Sequence, residues 1–133
     1  MKQLQATFFS GPAEITAEAI ISQKPISFLG GVNYDNGVII DEKNDLYGKS
    51  FAGKILIYPF GKGSTGDCMR MWRSIAKGVG PAAIVNYTPD PIHVEGALLA
   101  NIGVLFGFDT NPCEFFKTGE ILHIKDGLIT VTE

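Results

Sequence analysis

The sequence predicts an α/β fold: a small parallel sheet with crossover helices, flanked by β elements from both ends of the chain. Two continuous apolar runs, "KILIYPF" and "AAIVNY", are separated by a stretch of helical periodicity, and a second helical stretch separates the latter run from a third, "VLFGFD". Strand, helix, strand, helix, strand is the order that right-handed crossovers turn into a parallel sheet. The two ends of the chain alternate with a period of two instead, as half-buried strands do.

The elements follow in order. Ala13, Ile15, Ala17, Ala19 and Ile21 alternate with Glu14, Thr16 and Glu18, which predicts a strand over 13–21. In "PISFLGGV" the Gly30-Gly31 pair permits a bulge or a close backbone approach, and Asn36-Gly37 marks a turn into "VII". "KILIYPF", bounded by Gly53 and Pro59, reads as a strand covered on both faces. Cys68, Met71, Trp72 and Ile75 then fall on one helical face, Arg70, Arg73 and Lys77 point elsewhere, and Gly78 supplies the stop. Pro91 opens the second helix. Asp126-Gly127, between two alternating segments, predicts a terminal hairpin. No repeat, linker or low-complexity segment interrupts the chain, so residues 1–133 read as one domain.

Composition bounds the function. Apolar residues make up 45% of the 133 and charged residues 19%, greasier than an ordinary soluble domain and suggestive of a surface buried against a partner. Eleven basic and 14 acidic residues give a net charge near −3, with no Lys/Arg run to track a phosphate backbone, so nucleic acid is not an expected ligand. No apolar segment has the length of a membrane span or the form of a signal peptide, and a cytoplasmic location is expected. Cys68, Cys113, His93 and His123 fit no paired metal-ligand spacing, so no metal or cluster is expected on this chain alone.

The segment Gly61-Lys62-Gly63-Ser64-Thr65 joins a buried strand to a helix. Ligands bind beyond the carboxyl ends of strands in open α/β sheets, and a helix start there offers unpaired N–H groups to an anion. The segment is not a nucleotide-binding P-loop, because Lys62 is followed by glycine and Leu56 stands where the first glycine belongs. Two readings remain: a tight turn whose Ser64 or Thr65 caps the helix, and an anion or substrate site in which Lys62 assists a serine. Elsewhere, His93 at a helix start reads as a cap or surface residue, His123 as structural, Cys68 as core packing, and Arg70 and Arg73 as a solvated face. The polar loop after "ISFLGG" reads as a bulge and turn, with pocket lining as its functional alternative.

"ISFLGGVNYDNGVI", "FAGKILIYPFGKGST", "GPAAIVNYTPDPIHVEGALLANI" and "FFKTGEILHI" stand in order at spacings that resemble the small subunit, or swivel domain, of aconitase X. The resemblance implies a swivelling β/β/α domain and a hydro-lyase in which a large subunit carries an iron–sulfur cluster, this chain binding none. Members include archaeal phosphomevalonate dehydratase and bacterial cis-3-hydroxy-L-proline dehydratases, so a small hydroxy acid is the implied substrate and a heterodimer the implied assembly. The family's proton acceptor maps onto Ser64, with Gly61, Lys62, Gly63, Thr65, Gly30 and Gly31 around the substrate. The other reading of the chain is a non-catalytic module that binds an anion or a partner through the glycine loop; a phosphoryl carrier would need a reactive histidine in a loop. Thr65-Gly66-Asp67-Cys68 departs from the family run: Asp67 brings a negative charge where small or hydroxyl residues are usual, which speaks against a phosphorylated substrate and implies that substrate choice is decided here, toward another hydroxy acid, or that activity has been lost.

Overall fold

The computed structural model describes residues 2–62 and 66–132. Its strands are β1 (Gln3–Gln5), β2 (Thr7–Phe9), β3 (Glu14–Ile21), β4 (Val32–Asn33), β5 (Val38–Ile39), β6 (Ile55–Tyr58), β7 (Ala83–Asn86), β8 (Gly103–Phe106), β9 (Ile121–Lys125) and β10 (Leu128–Val131), and its helices α1 (Gly66–Ala76), α2 (Pro91–Ala100) and α3 (Pro112–Phe115). Eight strands form one sheet in the order β1-β10-β9-β3-β6-β7-β8-β2, and β4 pairs with β5 in a separate hairpin. The centre, β3-β6-β7-β8, is parallel, with Leu56 beside both Ile20 and Ile84. Antiparallel strands complete both sides, β9, β10 and β1 on one and β2 on the other. The expected parallel sheet with flanking β elements is therefore present.

The period of two along each central strand divides the core. Ile55, Ile57, Ala83, Val85 and Leu105 point to one side and pack with Leu122, Ile124, Ile129 and Phe116. Leu56, Tyr58, Ile84 and Val104 point to the other and pack with Met71 of α1, Ala97 of α2, and Phe28 and Phe51 from the preceding loops. Strands with both faces covered need no polar alternation, which is why β6 and β7 read as unbroken apolar runs.

One local expectation needs correction. Trp72 is 44% exposed rather than buried with Met71, because the seam between α1 and the sheet is filled by Cys68, Met71 and Ser74. The amino-terminal strands β1 and β2 and the short helix α3 were not foreseen: three-residue strands and a four-residue helix are too short to show a period. Helix α2 starts at Pro91 as expected, with the Asp90 side chain accepting from the Ile92 N–H at 3.0 Å and Asn101 closing it in the left-handed conformation.

Candidate active site

Beyond the carboxyl end of β6 the chain turns through Phe60, Gly61 and Lys62 toward α1, and Gly61 forms a parallel bridge with Ile26. The Lys62 N–H donates to the Ile26 carbonyl at 2.9 Å. This bridge brings the 26–31 segment beside the strand-to-helix junction. Between them and the 40–43 turn lies an open cavity of about 590 Å³, lined among others by Ser27, Gly30, Gly31, Asp41, Lys43 and Lys62. Gly30 has φ +84° and open space where a Cβ would stand. Gly31 lies so close to the chain that a Cβ would sit 2.4 Å from the Ser27 carbonyl oxygen, so the expected close approach is real.

Of the residues expected around a substrate, Gly30, Gly31 and Lys62 share this cavity. Gly61 stands behind it, against Asp90 and His93. Gly63, Ser64 and Thr65 lie outside the described residues. Lys62 is half exposed and pairs with Asp41 at 3.6 Å, a contact that water and salt weaken. The backbone N–H of Lys43, which donates to Asp41, is the main influence holding that carboxyl below its usual range; Lys62 adds to it.

The first turn of α1 corrects two readings at once. Asp67 does not face the cavity: it is fully buried, accepting from the backbone N–H of Phe28 at 2.7 Å and of Leu29 at 2.8 Å, with His93 Nε2 at 2.6 Å and the Ser27 hydroxyl at 3.1 Å. Burial opposes its charge, but the hydrogen bonds from His93, Phe28 and Leu29 outweigh burial and hold its pKa below the ordinary carboxylate value. His93, read as a cap or surface residue, is fully buried. Its Nδ1 lies 2.6 Å from the Tyr58 hydroxyl, and Phe28 packs edge-on against its ring at 5.2 Å. Burial raises the Tyr58 pKa well above that of a free phenol, so the hydroxyl keeps its proton.

The Asp67–His93–Tyr58 chain escaped the sequence because its members come from α1, α2 and β6. Its only sequence signal was a histidine and an aspartate, each at the start of a helix that otherwise turns apolar residues inward. Gly61 is obligatory behind it, since a Cβ would meet Asp90 Oδ2 at 2.4 Å and His93 Nδ1 at 2.6 Å. Gly61→Ala is therefore expected to destabilise by about 1–3 kcal/mol, the range for overpacking against a side chain that cannot move away. Urea unfolding of the two chains measures it; an unchanged midpoint would mean that His93 yields.

The two cysteines lie apart. Cys68 belongs to α1 and Cys113 to α3, which pack on opposite faces of the sheet. Burial pushes the Cys113 thiol up to about 12, away from the thiolate a cluster needs. Among the described residues no group of three or more His, Cys, Asp or Glu could hold a metal ion, and no helix is long and apolar enough to cross a membrane.

A mixed sheet with a parallel centre, the two longer helices α1 and α2 on one face, α3 and antiparallel strands packed on the other and a loop-lined cavity at the strand ends define a swivelling β/β/α domain. The family model described as the aconitase X swivel domain matches residues 4–132. The chain belongs to the aconitase X swivel-domain family. It is 37% identical to the phosphomevalonate dehydratase small subunit of Thermococcus onnurineus, with all of both chains covered. It is 40% identical to that of Methanosarcina mazei over 90% of this chain and 81% of the relative. The crystal structure of Thermococcus kodakaraensis aconitase X in its holo-form superposes with a TM-score of 0.92 at 32% identity, covering 100% of each chain.

Proposed function

We propose that this chain, as a single swivel domain over residues 1–133, is the small subunit of a cytoplasmic heterodimeric hydro-lyase. Its substrate is phosphomevalonate and its proton acceptor is Ser64. The observation that carries the reading is the cavity at the end of β6. Its walls are Gly30-Gly31 and Lys62, and Lys62 borders the segment that holds Ser64. The relatives named phosphomevalonate dehydratase small subunit align with most or all of this chain.

The chemistry asks the serine to take a proton from carbon, for which an ordinary hydroxyl is far too weak. The alkoxide needs positive potential, and the chain offers two sources: the start of α1 at Gly66, two residues beyond Ser64, and the Lys62 ammonium two residues before it. Asp67 does not cancel that potential at the cavity, because its charge is spent on buried donors. Gly30, with no side chain and open space above it, leaves room for substrate against the backbone. Gly61, Gly63 and Thr65 complete the proposed substrate loop. The cofactor of the complex is an iron–sulfur cluster held by the large subunit, and Cys68 and Cys113 contribute no ligand to it.

Reconstitution tests the reading. The chain is mixed with an aconitase X large subunit under anaerobic conditions, and loss of water from phosphomevalonate is followed by mass spectrometry. Turnover is expected only when both chains are present. Turnover of cis-3-hydroxy-L-proline in its place would reassign the substrate, and a stable complex that dehydrates neither would sink the proposal.

A further inference from the structure

The proposed reaction makes no use of the buried Asp67, His93 and Tyr58, and none of the three lines the cavity. Their placement has a logic of its own. His93 touches both flanks of the segment between β6 and α1. On the near flank its ring fills the space where a Gly61 side chain would stand, a Cβ there lying 2.6 Å from Nδ1, and on the far flank its Nε2 meets Asp67, the second residue of α1, at 2.6 Å. Tyr58, the last residue of β6, fixes the ring from below through its hydroxyl at 2.6 Å. Asp67 in turn grips the N–H groups of Phe28 and Leu29, immediately before Gly30-Gly31 of the cavity wall.

We infer that His93 is a positioning residue: its imidazole holds the two ends of the 62–66 segment in register with each other and, through Asp67, with the Gly30-Gly31 wall. The consequence for catalysis rests on the Ser64 reading; the contact itself does not. The hydrogen-bond directions follow from the partners. The Asp67 carboxylate accepts, so Nε2 carries the hydrogen, and the Tyr58 hydroxyl donates to Nδ1. A ring held at both nitrogens, wedged between Phe28 and Gly61, has one orientation. A misplacement of about 1 Å at a reacting group can cost on the order of 100-fold in rate, so holding both flanks of a base-bearing segment is a kinetic matter as well as a structural one.

The test uses the full chain, alone and in the reconstituted complex. In the chain alone, His93→Gln is expected to speed amide exchange at Lys62 and Asp67 by about ten-fold or more, read by NMR. In the complex, His93→Gln and Tyr58→Phe are expected to lower kcat for phosphomevalonate by about ten-fold or more while KM stays within about three-fold. Ile84→Val, in the core away from the segment, is the control: it lowers Tm and leaves kcat alone. Unchanged exchange at Lys62 and Asp67 would overturn the inference, as would wild-type kcat in both variants. If His93→Gln does not fold, Tyr58→Phe, which keeps the ring and removes only the hydroxyl, decides by the same two readouts. Faster exchange together with a fully active Ser64→Ala complex would remove the base assignment and leave the positioning role standing.

Discussion

Replacing Asp67 by alanine is expected to lower the free energy of unfolding by about 3–5 kcal/mol, enough to unfold a marginal domain at physiological temperature. The carboxylate is the common acceptor for two backbone N–H groups and an imidazole, the Phe28 N–H and the His93 ring buried and the Leu29 N–H partly so, and alanine leaves all three donors without it. Each stranded donor costs about 1–3 kcal/mol, and no water reaches a side chain that is fully enclosed. The pH dependence has a definite sign. The folded-state pKa of Asp67 lies below its unfolded value, so its contribution is present in full above the unfolded value, near 4, and is lost as pH falls through the folded value. The stability gap between wild type and Asp67→Ala should therefore be widest near neutrality and narrow below about pH 4. Urea titrations from pH 7 to pH 3 measure it. A gap that stays constant, or widens in acid, would show that the carboxyl is not held as described.

The same residue shows what can and cannot be read along a chain. The central strands and α1 and α2 were legible because their signals are local: unbroken apolar runs for β6 and β7, an inward-facing stripe for α1, Pro91 for the start of α2. The close approach at Gly30-Gly31 and the Asp126-Gly127 hairpin were legible for the same reason, since each depends on the backbone freedom of one or two residues. Asp67 was not. At the start of a helix behind a glycine loop it reads as a charge presented to the substrate, and the expectation that "GDC" decides substrate choice followed from that. Its true partners are Phe28, 39 residues away, and His93, 26 residues away. Only folding brings them together. Among the described residues, Lys62 and the Gly30-Gly31 wall border the cavity, and the aspartate holds that wall from behind.

Within the proposed reaction, Ser64→Ala should lower kcat of the reconstituted complex by about 100- to 10,000-fold, the span usually contributed by a positioned general base. KM should move far less, because the groups that would recognise the substrate, Lys62 and the Gly30-Gly31 backbone, are unchanged. The loss should not come from unfolding: the substitution removes one hydroxyl and leaves the Asp67, His93 and Tyr58 side chains unchanged. Thermal melts separate the two explanations, with Ser64→Ala expected to melt within a few degrees of wild type and Asp67→Ala far below it. The contrast is the point of the pair. If Asp67 holds the segment and Ser64 does the chemistry, one substitution removes stability and the other removes rate. A Ser64→Ala complex that keeps full kcat would transfer the proton-accepting role to the large subunit, and the segment between Gly61 and Asp67 would then serve to shape the cavity.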